Sequence, residues 1–200
     1  FCVIPSVRGR SVSVGSAEAL RTVKNIVAHG YREIVLAGIH LSSWGEDLEP
    51  RRSLADLLQE IEEIEGLGRL RLSSLDPRRM SRALITHIAG NPKICQHFHL
   101  SIQHASERIL ARMGRAEGAR TAHHYESVLA LLRERSPEAA LGADVIVGFP
   151  EESDEDFAIL ESFLDRSPLT YFHVFSFSPR QGTPAAARPQ VPDRVKTQRS

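Results

Sequence analysis

The sequence predicts an α/β fold in which parallel strands alternate with helices. Short β-like runs are followed by amphipathic helical stretches, and this unit repeats at intervals of roughly 30 residues. One of these runs, at residues 142–149, is almost continuously apolar, as expected for a strand buried on both faces. Parallel strands need crossover connections, and right-handed crossovers build either an open doubly wound sheet or a barrel. Periodicity alone does not choose between these two architectures.

The elements can be placed in order along the chain. Strands are predicted at 33–38, 70–74, 97–102, 142–149 and 171–177, and helices at 16–29, 53–64, 79–89, 106–112, 122–133 and 153–164. Ser16 and Ser153 are predicted as helix N-caps, and the acids after Ser153 suit the positive end of a helix dipole. Gly30 is predicted to end the first of these helices.

Either architecture places the chemistry where strands end. Ligands of doubly wound sheets and of barrels bind at the carboxyl ends of the strands. The residues of interest are therefore His40 and those at 73–76, 101–106, 148–152 and 176–180.

Composition excludes several classes of protein. The 200 residues carry 25 basic and 25 acidic side chains, so the whole chain does not have the charge of a nucleic-acid-binding domain. No run approaches the ~18 apolar residues of a membrane helix, and two cysteines give no disulfide framework. A cytoplasmic protein with no membrane association is expected. Residues 1–178 form the predicted domain, and 179–200, rich in Pro, Ala, Gln and Arg, the predicted linker.

The first residues carry a family resemblance. Phe1-Cys2, followed by Ile4-Pro5 and then Arg8-Gly9-Arg10, resembles the end of the C-x-x-x-C-x-x-C loop of radical S-adenosylmethionine (SAM) enzymes, and more narrowly of the tRNA methylthiotransferases. The resemblance implies that Cys2 is the third cysteine of a [4Fe–4S] cluster, with the other two upstream of the sequence given. Thiolates are the ligands that such clusters require. Without the resemblance, a buried free cysteine would be the ordinary interpretation.

Four further segments extend the resemblance. Residues 101–115 are similar to a family pattern of Gln after a strand, a short helix and M-x-R, and 143–152 to D-V-I-V-G-F-P-G-E. Residues 71–77 and 172–185 resemble the branch that acts on threonylcarbamoyladenosine in tRNA. The chain departs from the pattern at His104-Ala105, at Glu117-Gly118 and at Glu151, which replaces a glycine and could alter its turn.

The resemblance implies a set of cofactor contacts. The residues that match SAM-binding positions are Gly38, Ser73, Gln103, Arg115, Asp144, Ile146 and Gly148. Arg115 matches the arginine that contacts the SAM carboxylate, and the strand at 143–148 supports the adenine. Asp144 within an apolar run is costly unless it is hydrogen-bonded, which favours a ligand hydroxyl or a polar network as its partner.

Four residues are candidates for contacts with RNA or another substrate. Arg8 and Arg10 bracket Gly9, and arginine suits bidentate contact with phosphate; a solvated turn is the alternative. His40 and Arg180 follow predicted strands, and a structural role is the alternative for His40.

The family also implies an architecture and a reaction. With one strand expected before Cys2, the five strands resemble a partial TIM-like (β/α)6 radical-SAM barrel that lacks its first strand and part of its cluster loop. The implied reaction cleaves SAM to a 5′-deoxyadenosyl radical and adds a methylthio group at C2 of an adenine next to the anticodon. It implies a second [4Fe–4S] cluster, a C-terminal TRAM-like RNA-binding domain, an electron donor such as flavodoxin or ferredoxin, and no catalytic side chain beyond the cluster.

Other functions stay open at this stage. His97 and His99 lie on one face of a strand, as in some zinc hydrolases, with Asp144 and His173 as possible further ligands. Within the family, the substrate could instead be a ribosomal-protein aspartate or isopentenyladenosine in tRNA. An inactive fragment without a cluster is the last alternative.

Overall fold

The computed structural model describes residues 1–116 and 120–200. Glu117 and Gly118, where the sequence departs from the family pattern, lie outside the described residues.

The strands form one parallel array in chain order. They are β1 (Glu33–Leu36), β2 (Arg69–Leu72), β3 (His97–Gln103), β4 (Ala140–Val147) and β5 (Tyr171–Ser176). β1 pairs with β2, and β4 lies between β3 and β5, all in parallel. Two parallel bridges, Leu70 with Ile94 and Leu75 with Leu100, connect β2 to the β3 side. A doubly wound sheet would reverse its strand order, so the order confirms the predicted partial barrel.

The six predicted helices are confirmed, and two more are present. The α-helices of the described residues are α1 (Ile4–Arg8), α2 (Ser16–Ala28), α3 (Leu54–Glu62), α4 (Arg82–Gly90), α5 (Glu107–Arg112), α6 (Thr121–Arg135), α7 (Asp154–Arg166) and α8 (Asp193–Arg199). Sequence analysis did not predict α1 or α8. Across the described part of the chain, no helix is both long and apolar enough to traverse a bilayer.

Four of the eight α-helices of the described residues have a side-chain N-cap. Ser153 caps α7 in a capping box with Asp156, as predicted, and Gly30 follows α2 with a positive φ of 90°. The prediction for Ser16 is wrong. Gly15 is the N-cap of α2, and the hydroxyl of Ser16 instead accepts a hydrogen bond from Arg52 at 3.0 Å.

The two faces of the sheet differ in polarity. On β3, Phe98, Leu100 and Ile102 are fully buried in the hydrophobic core that also contains residues of α3, α4 and α6. The alternate residues, His97 and His99 among them, lie on the other face, which we call the open face. It also carries Asp144 of β4 and Tyr171 and His173 of β5, and Asp144 pairs with His173 in the strand register. The helices therefore cover one face and leave a polar, aromatic face for ligands.

Gly142 gives Tyr171 its position on the open face. The two residues are paired between β4 and β5, and a Cβ at Gly142 would lie 2.2 Å from Cζ of Tyr171. The tyrosine ring therefore crosses β4 through the space that the missing side chain leaves. Its hydroxyl reaches His97 and His99 on β3, at 2.8 and 3.2 Å.

We predict that Gly142→Ala lowers the free energy of unfolding by about 1–3 kcal/mol, because the added methyl overpacks the tyrosine ring. Denaturant unfolding of Gly142→Ala, Tyr171→Leu and the double variant measures this coupling, and the double variant should recover part of the loss. Gly90→Ala is the control, since a Cβ at Gly90 meets nothing within 4 Å. Strictly additive effects of the two substitutions would contradict the crossing.

Candidate active site

The residues predicted to bind SAM lie at or near one edge of the array. Gly38 and Ser73 follow β1 and β2, Gln103 ends β3, and Gly148 follows β4. Ile146 lies near the end of β4, and Asp144 lies deeper along the same strand. Parallel strands in chain order bring these carboxyl ends together, so one site can collect ligands from four loops.

Cys2 lies beside this edge because Phe1 is anchored there. The ring of Phe1 meets that of Phe149 edge to face, with centroids 5.9 Å apart, and Phe149 packs in turn on Phe177 at 5.0 Å. Phe149 and Phe177 follow β4 and β5, within a small hydrophobic cluster that also contacts Ile146. This hydrophobic cluster therefore holds Phe1 and Cys2 over the carboxyl ends of β4 and β5.

The thiol of Cys2 suits the role of a single cluster ligand. The residue is exposed, and its Sγ accepts a long hydrogen bond, 3.4 Å, from the amide of Ile4. The second cysteine, Cys95, precedes β3 and lies at the opposite edge of the sheet. Among the described residues no group of three potential metal ligands occurs. Cys2 can thus supply one thiolate, and Cys95 is not placed to supply another.

A buried carboxylate organises the edge between β2 and β3. Asp76 is 3% exposed and receives Arg78 at 2.6 Å, Arg115 at 3.3 Å and His40 at 3.3 Å. Burial alone would raise the pKa of Asp76. The hydrogen bonds from His40 and Arg78, together with the charge of Arg115, instead hold it well below its usual range. Two guanidinium groups therefore contact this one carboxylate.

Unpartnered buried polar atoms at this edge are consistent with a polar ligand. Within residues 1–116 and 120–200, no hydrogen-bond partner is present for two buried atoms, the Oγ of Ser73 and the Nε of Arg115. Arg115 also donates to the carbonyl of Ser101 at 2.5 Å, which holds its side chain against the end of β3. Buried polar groups are normally satisfied, and those that are not deserve an explanation. A ligand carboxylate or hydroxyl is one, and both residues are among the predicted SAM contacts.

The polar partner expected for Asp144 is a histidine. Its Oδ1 lies 3.0 Å from Nε2 of His99, and its side chain is 28% exposed on the open face. Of the two partners expected for Asp144, a ligand hydroxyl or a polar network, the protein contacts provide the polar network. The other carboxylate oxygen lies on the open face.

The turn after β4 tolerates Glu151 in place of glycine. Gly148 and Glu151 both have positive φ, 67° and 65°, so the glutamate adopts a conformation that glycine favours. Its carboxylate pairs with Arg112 at 2.5 Å and with Arg188 at 3.1 Å. These ion pairs hold Glu151 in a strained conformation, and the sequence departure does not change the hand of the turn.

Helix α8 packs against the same turn. Arg199, 6% exposed, contacts the fully buried carboxylate of Glu152 at 2.6 Å, and His104 approaches that carboxylate at 3.4 Å. A Cβ at Gly148 would lie 2.4 Å from Cγ of Lys196, so the lysine stem covers this glycine. The segment after residue 178 therefore includes a helix docked on the domain, which its composition did not predict.

The candidates for substrate contact are mostly exposed. Arg8, Arg10 and Arg180 lie on the surface, and none of them forms a hydrogen bond or ion pair through its side chain with the described residues. His40 is engaged by Asp76. The exposed candidates Arg8, Arg10 and Arg180 thus differ from Arg78 and Arg115, which contact Asp76.

Sequence reasoning missed two contributors. Arg78 is the principal partner of Asp76, and Tyr171 connects β5 to β3. The contact of Tyr171 is tertiary, whereas Arg78 lies two residues after Asp76 and contacts it locally. The available signals were the D-P-R order of residues 76–78, typical of a capped turn, and a glycine inside the apolar β4 run.

The fold and the site define an enzyme class. The model of the Radical SAM superfamily matches residues 1–164, and the chain belongs to that superfamily. Within it, methylthiotransferases are among the curated relatives of the chain. The chain is 42% identical over its whole length to the threonylcarbamoyladenosine tRNA methylthiotransferase MtaB of Aquifex aeolicus. It is 36% identical over its whole length to a tRNA-2-methylthio-N(6)-dimethylallyladenosine synthase of Carboxydothermus hydrogenoformans, and 41% identical over 98% to the ribosomal protein uS12 methylthiotransferase RimO of Nitratidesulfovibrio vulgaris.

The chain spans less than half of these relatives, 48%, 45% and 45% of their respective lengths. Three substrate types therefore occur among proteins of comparable similarity, and similarity alone does not select one.

Solved structures share the fold. Coproporphyrinogen III oxidase (HemN) from Escherichia coli superposes with a TM-score of 0.64 at 14% identity, over 91% of this chain and 43% of that one. The methyltransferase TsrM from Kitasatospora setae, whose structure has cobalamin and a [4Fe–4S] cluster bound, gives 0.60 at 19% identity, over 80% and 31%. The superfamily uses a [4Fe–4S] cluster and SAM, which confirms the predicted cofactors. The family assignment replaces the zinc-hydrolase alternative.

We predict that Asp76→Asn destabilises the protein by about 3 kcal/mol at pH 7, because it removes a buried negative charge that two partly buried guanidinium groups contact. The pKa of Asp76 is depressed in the folded state. Its contribution is therefore present above its unfolded value, about 4, and is lost as pH falls toward the folded value. Urea unfolding from pH 7 to pH 3 should show a steeper acid loss for the wild type than for the variant.

The exposed carboxylate of Asp165 on α7 provides the matched control, and Asp165→Asn should retain the acid dependence of the wild type. Equal acid dependence of the wild type and Asp76→Asn would contradict the role given to this carboxylate.

Proposed function

We propose that the protein is a tRNA methylthiotransferase that adds a methylthio group to C2 of N6-threonylcarbamoyladenosine next to the anticodon. The observation that carries the proposal is the segment 71–77, which resembles the threonylcarbamoyl branch and in which the buried carboxylate of Asp76 contacts Arg78 at 2.6 Å. A threonylcarbamoyl group carries a carboxylate, which arginine recognises well, whereas a dimethylallyl group would require an apolar pocket.

We assign a role to each residue of the site from its position. Cys2 provides one thiolate for a [4Fe–4S] cluster, and Phe1 anchors it through Phe149. Ser73 and Arg115 have buried polar atoms free for the carboxylate of SAM. When bound, the cluster and SAM supply a 5′-deoxyadenosyl radical that removes a hydrogen atom from the target base. The open face of the sheet, inside the partial barrel, shields that chemistry from water, and this exclusion limits side reactions of the radical.

The exposed arginines are the proposed contacts with tRNA phosphates. Arg8, Arg10 and Arg180 can each offer a bidentate fork without breaking an ion pair, and His40 lies near the same edge. Residues 1–178 act as the radical-SAM domain in this proposal. Residues 179–200 lead toward an RNA-binding domain, and a small electron carrier such as flavodoxin or ferredoxin supplies the electron.

Mass spectrometry of tRNA nucleosides from a deletion strain tests the substrate. Deletion should remove the methylthio form of threonylcarbamoyladenosine while the unmethylthiolated nucleoside accumulates, and the wild-type gene should restore it. The uS12 peptide from the same cells is measured in parallel, because a relative that acts on uS12 is 41% identical to this chain. Loss of methylthio from uS12 or from dimethylallyladenosine, with threonylcarbamoyladenosine unaffected, would overturn the proposal.

A further inference from the structure

Two backbone positions at the carboxyl edge of the strands adopt a conformation that ordinary side chains avoid. Of the residues that the structure describes, two other than glycine have positive φ: Gln103, with 71°, and Glu151, with 65°. Gln103 ends β3, and Glu151 lies in the turn after β4. Such conformations are costly and persist only where the surrounding structure fixes them. Each of the two is followed directly by a buried ionisable residue, His104 and Glu152 respectively.

The imidazole of His104 and the carboxylate of Glu152 face each other in the interior. Both side chains are fully buried, and Nε2 of His104 lies 3.4 Å from Oε2 of Glu152. Nδ1 of His104 accepts the amide hydrogen of Ser106 at 2.9 Å, so the ring hydrogen lies on Nε2, which faces the carboxylate. The contact is long for a hydrogen bond, but within residues 1–116 and 120–200 this nitrogen has no nearer hydrogen-bond partner. The histidine therefore connects the loop after β3 to the turn after β4.

Glu152 stays ionised although it is buried. Burial alone would raise the pKa of this carboxylate. The hydrogen bond from His104 and those from the amides of Gly148 and Phe149 instead lower its pKa. Oε2 accepts from the amide of Phe149 at 3.2 Å, and Oε1 accepts from Nη1 of Arg199 at 2.6 Å. One buried carboxylate thus holds the backbone of its own turn, the loop after β3 and helix α8.

Glu151 is held by contacts from both α5 and the segment predicted as a linker. The carbonyl of Pro189 accepts a hydrogen bond from the amide of Glu151 at 3.2 Å. The guanidinium of Arg188 donates to the carboxylate of the same glutamate at 3.1 Å. On α5, Arg112 contacts that carboxylate at 2.5 Å, and Arg108 donates to the carbonyl of Glu151 at 2.9 Å. The positive φ is therefore fixed at the amide, the carbonyl and the side chain of this residue.

Helix α8 reaches the same turn with two side chains that are one helical turn apart. Lys196 and Arg199 are three residues apart and so share a face of the helix. The stem of Lys196 lies against Gly148, and Arg199 contacts Glu152. These two charged side chains are only 8% and 6% exposed. The helix is therefore docked by contacts at both ends of the turn.

We propose that His104 and Arg199 are positioning residues that act through Glu152 to hold the loop after β3 and the turn after β4 in the geometry that binds the adenine end of SAM. Two predicted SAM contacts adjoin this arrangement. Gln103 precedes His104, and Gly148 begins the turn that Glu152 ends. Helix α8 is then part of the cofactor site. The reference to SAM rests on the proposed function, but it does not depend on tRNA as the substrate.

The proposal predicts a reciprocal coupling between SAM and α8. If the docked helix raises the affinity for SAM, bound SAM must stabilise the docked helix by the same free energy. In the intact full-length enzyme carrying its clusters, SAM should therefore slow hydrogen exchange of the amides of residues 193–199 as well as those of 148–152. Equal exchange of residues 193–199 with and without SAM would overturn the proposal.

The affinity for SAM provides the second test, again with the intact enzyme. Arg199→Met removes the charge beside Glu152 and keeps an unbranched stem. It should raise the Kd for SAM about tenfold, as expected for one lost hydrogen bond to a charged group, while kcat at saturating SAM changes little. Arg199→Lys keeps the charge and should recover part of the affinity. Arg194→Met is the matched control, since Arg194 is exposed on the same helix.

Two substitutions of His104 separate its two hydrogen-bonding nitrogens. In His104→Asn, the amide oxygen can replace Nδ1 as the acceptor for Ser106, but no donor reaches Glu152. In His104→Gln, the longer side chain can place its NH2 group near the position of Nε2. The asparagine variant should therefore bind SAM more weakly than the glutamine variant. Equal Kd values for wild type, His104→Asn and Arg199→Met would contradict the positioning role.

Stability measurements separate positioning from structural support alone. A merely structural role would lower the free energy of unfolding in urea and leave the Kd of the folded enzyme for SAM unchanged, and that result would overturn the proposal. If the wild type binds no SAM, the proposed function fails, and exchange without SAM still tests the contacts of Glu152. Arg199→Met should then speed exchange of the amides of Phe149 and Glu151, and Arg194→Met should not. Unchanged exchange in Arg199→Met would also overturn the proposal.

Discussion

The site depends on five parallel strands in chain order, which form sheets of two and three strands joined by two bridges. Because each strand is followed by a crossover, every strand-to-helix loop ends at the same edge. Ser73 and Gly148 come from distant parts of the sequence and lie near that edge because they follow β2 and β4. Cys2 is held there through Phe1, and Arg115 through Ser101 and Asp76. The alternation of side chains along β3 and β4 then separates a packed face, which stabilises the domain, from an open face that can hold a ligand.

Buried charges provide the second level of organisation. Asp76 fixes two arginines between β2 and β3, and Glu152 receives Arg199 of α8 under the turn that follows β4. Breaking such a pair leaves a desolvated charge, so each is costly to disrupt. Asp76 and its arginines shape the edge where a carboxylate ligand is proposed. Glu152 and Arg199 attach α8 to the loop that adjoins the proposed adenine site.

Much of the fold could be predicted from the sequence, and less of the site. Periodicity located all five strands and six helices because local hydrophobic patterns record which face is buried. It did not locate α8, whose sequence is polar and whose Lys196 and Arg199 are buried only through tertiary contacts. The positive φ of Glu151 was also hidden, since ion pairs with Arg112 and Arg188 favour a conformation that glutamate alone would avoid. Family motifs supplied Cys2 and Arg115, but the crossing of Tyr171 over Gly142 depends on strand register, which sequence does not reveal.

The central claim is that Cys2 is a ligand of a radical-SAM cluster at the carboxyl edge of the strands. The most direct measurement is electron paramagnetic resonance of the reduced, anaerobically reconstituted full-length protein, with and without SAM, for wild type and Cys2→Ala. The account predicts that the wild-type signal changes when SAM binds, and that Cys2→Ala loses this SAM-dependent signal together with the iron of one cluster. A variant that retains its full iron content and the same response to SAM would contradict the account.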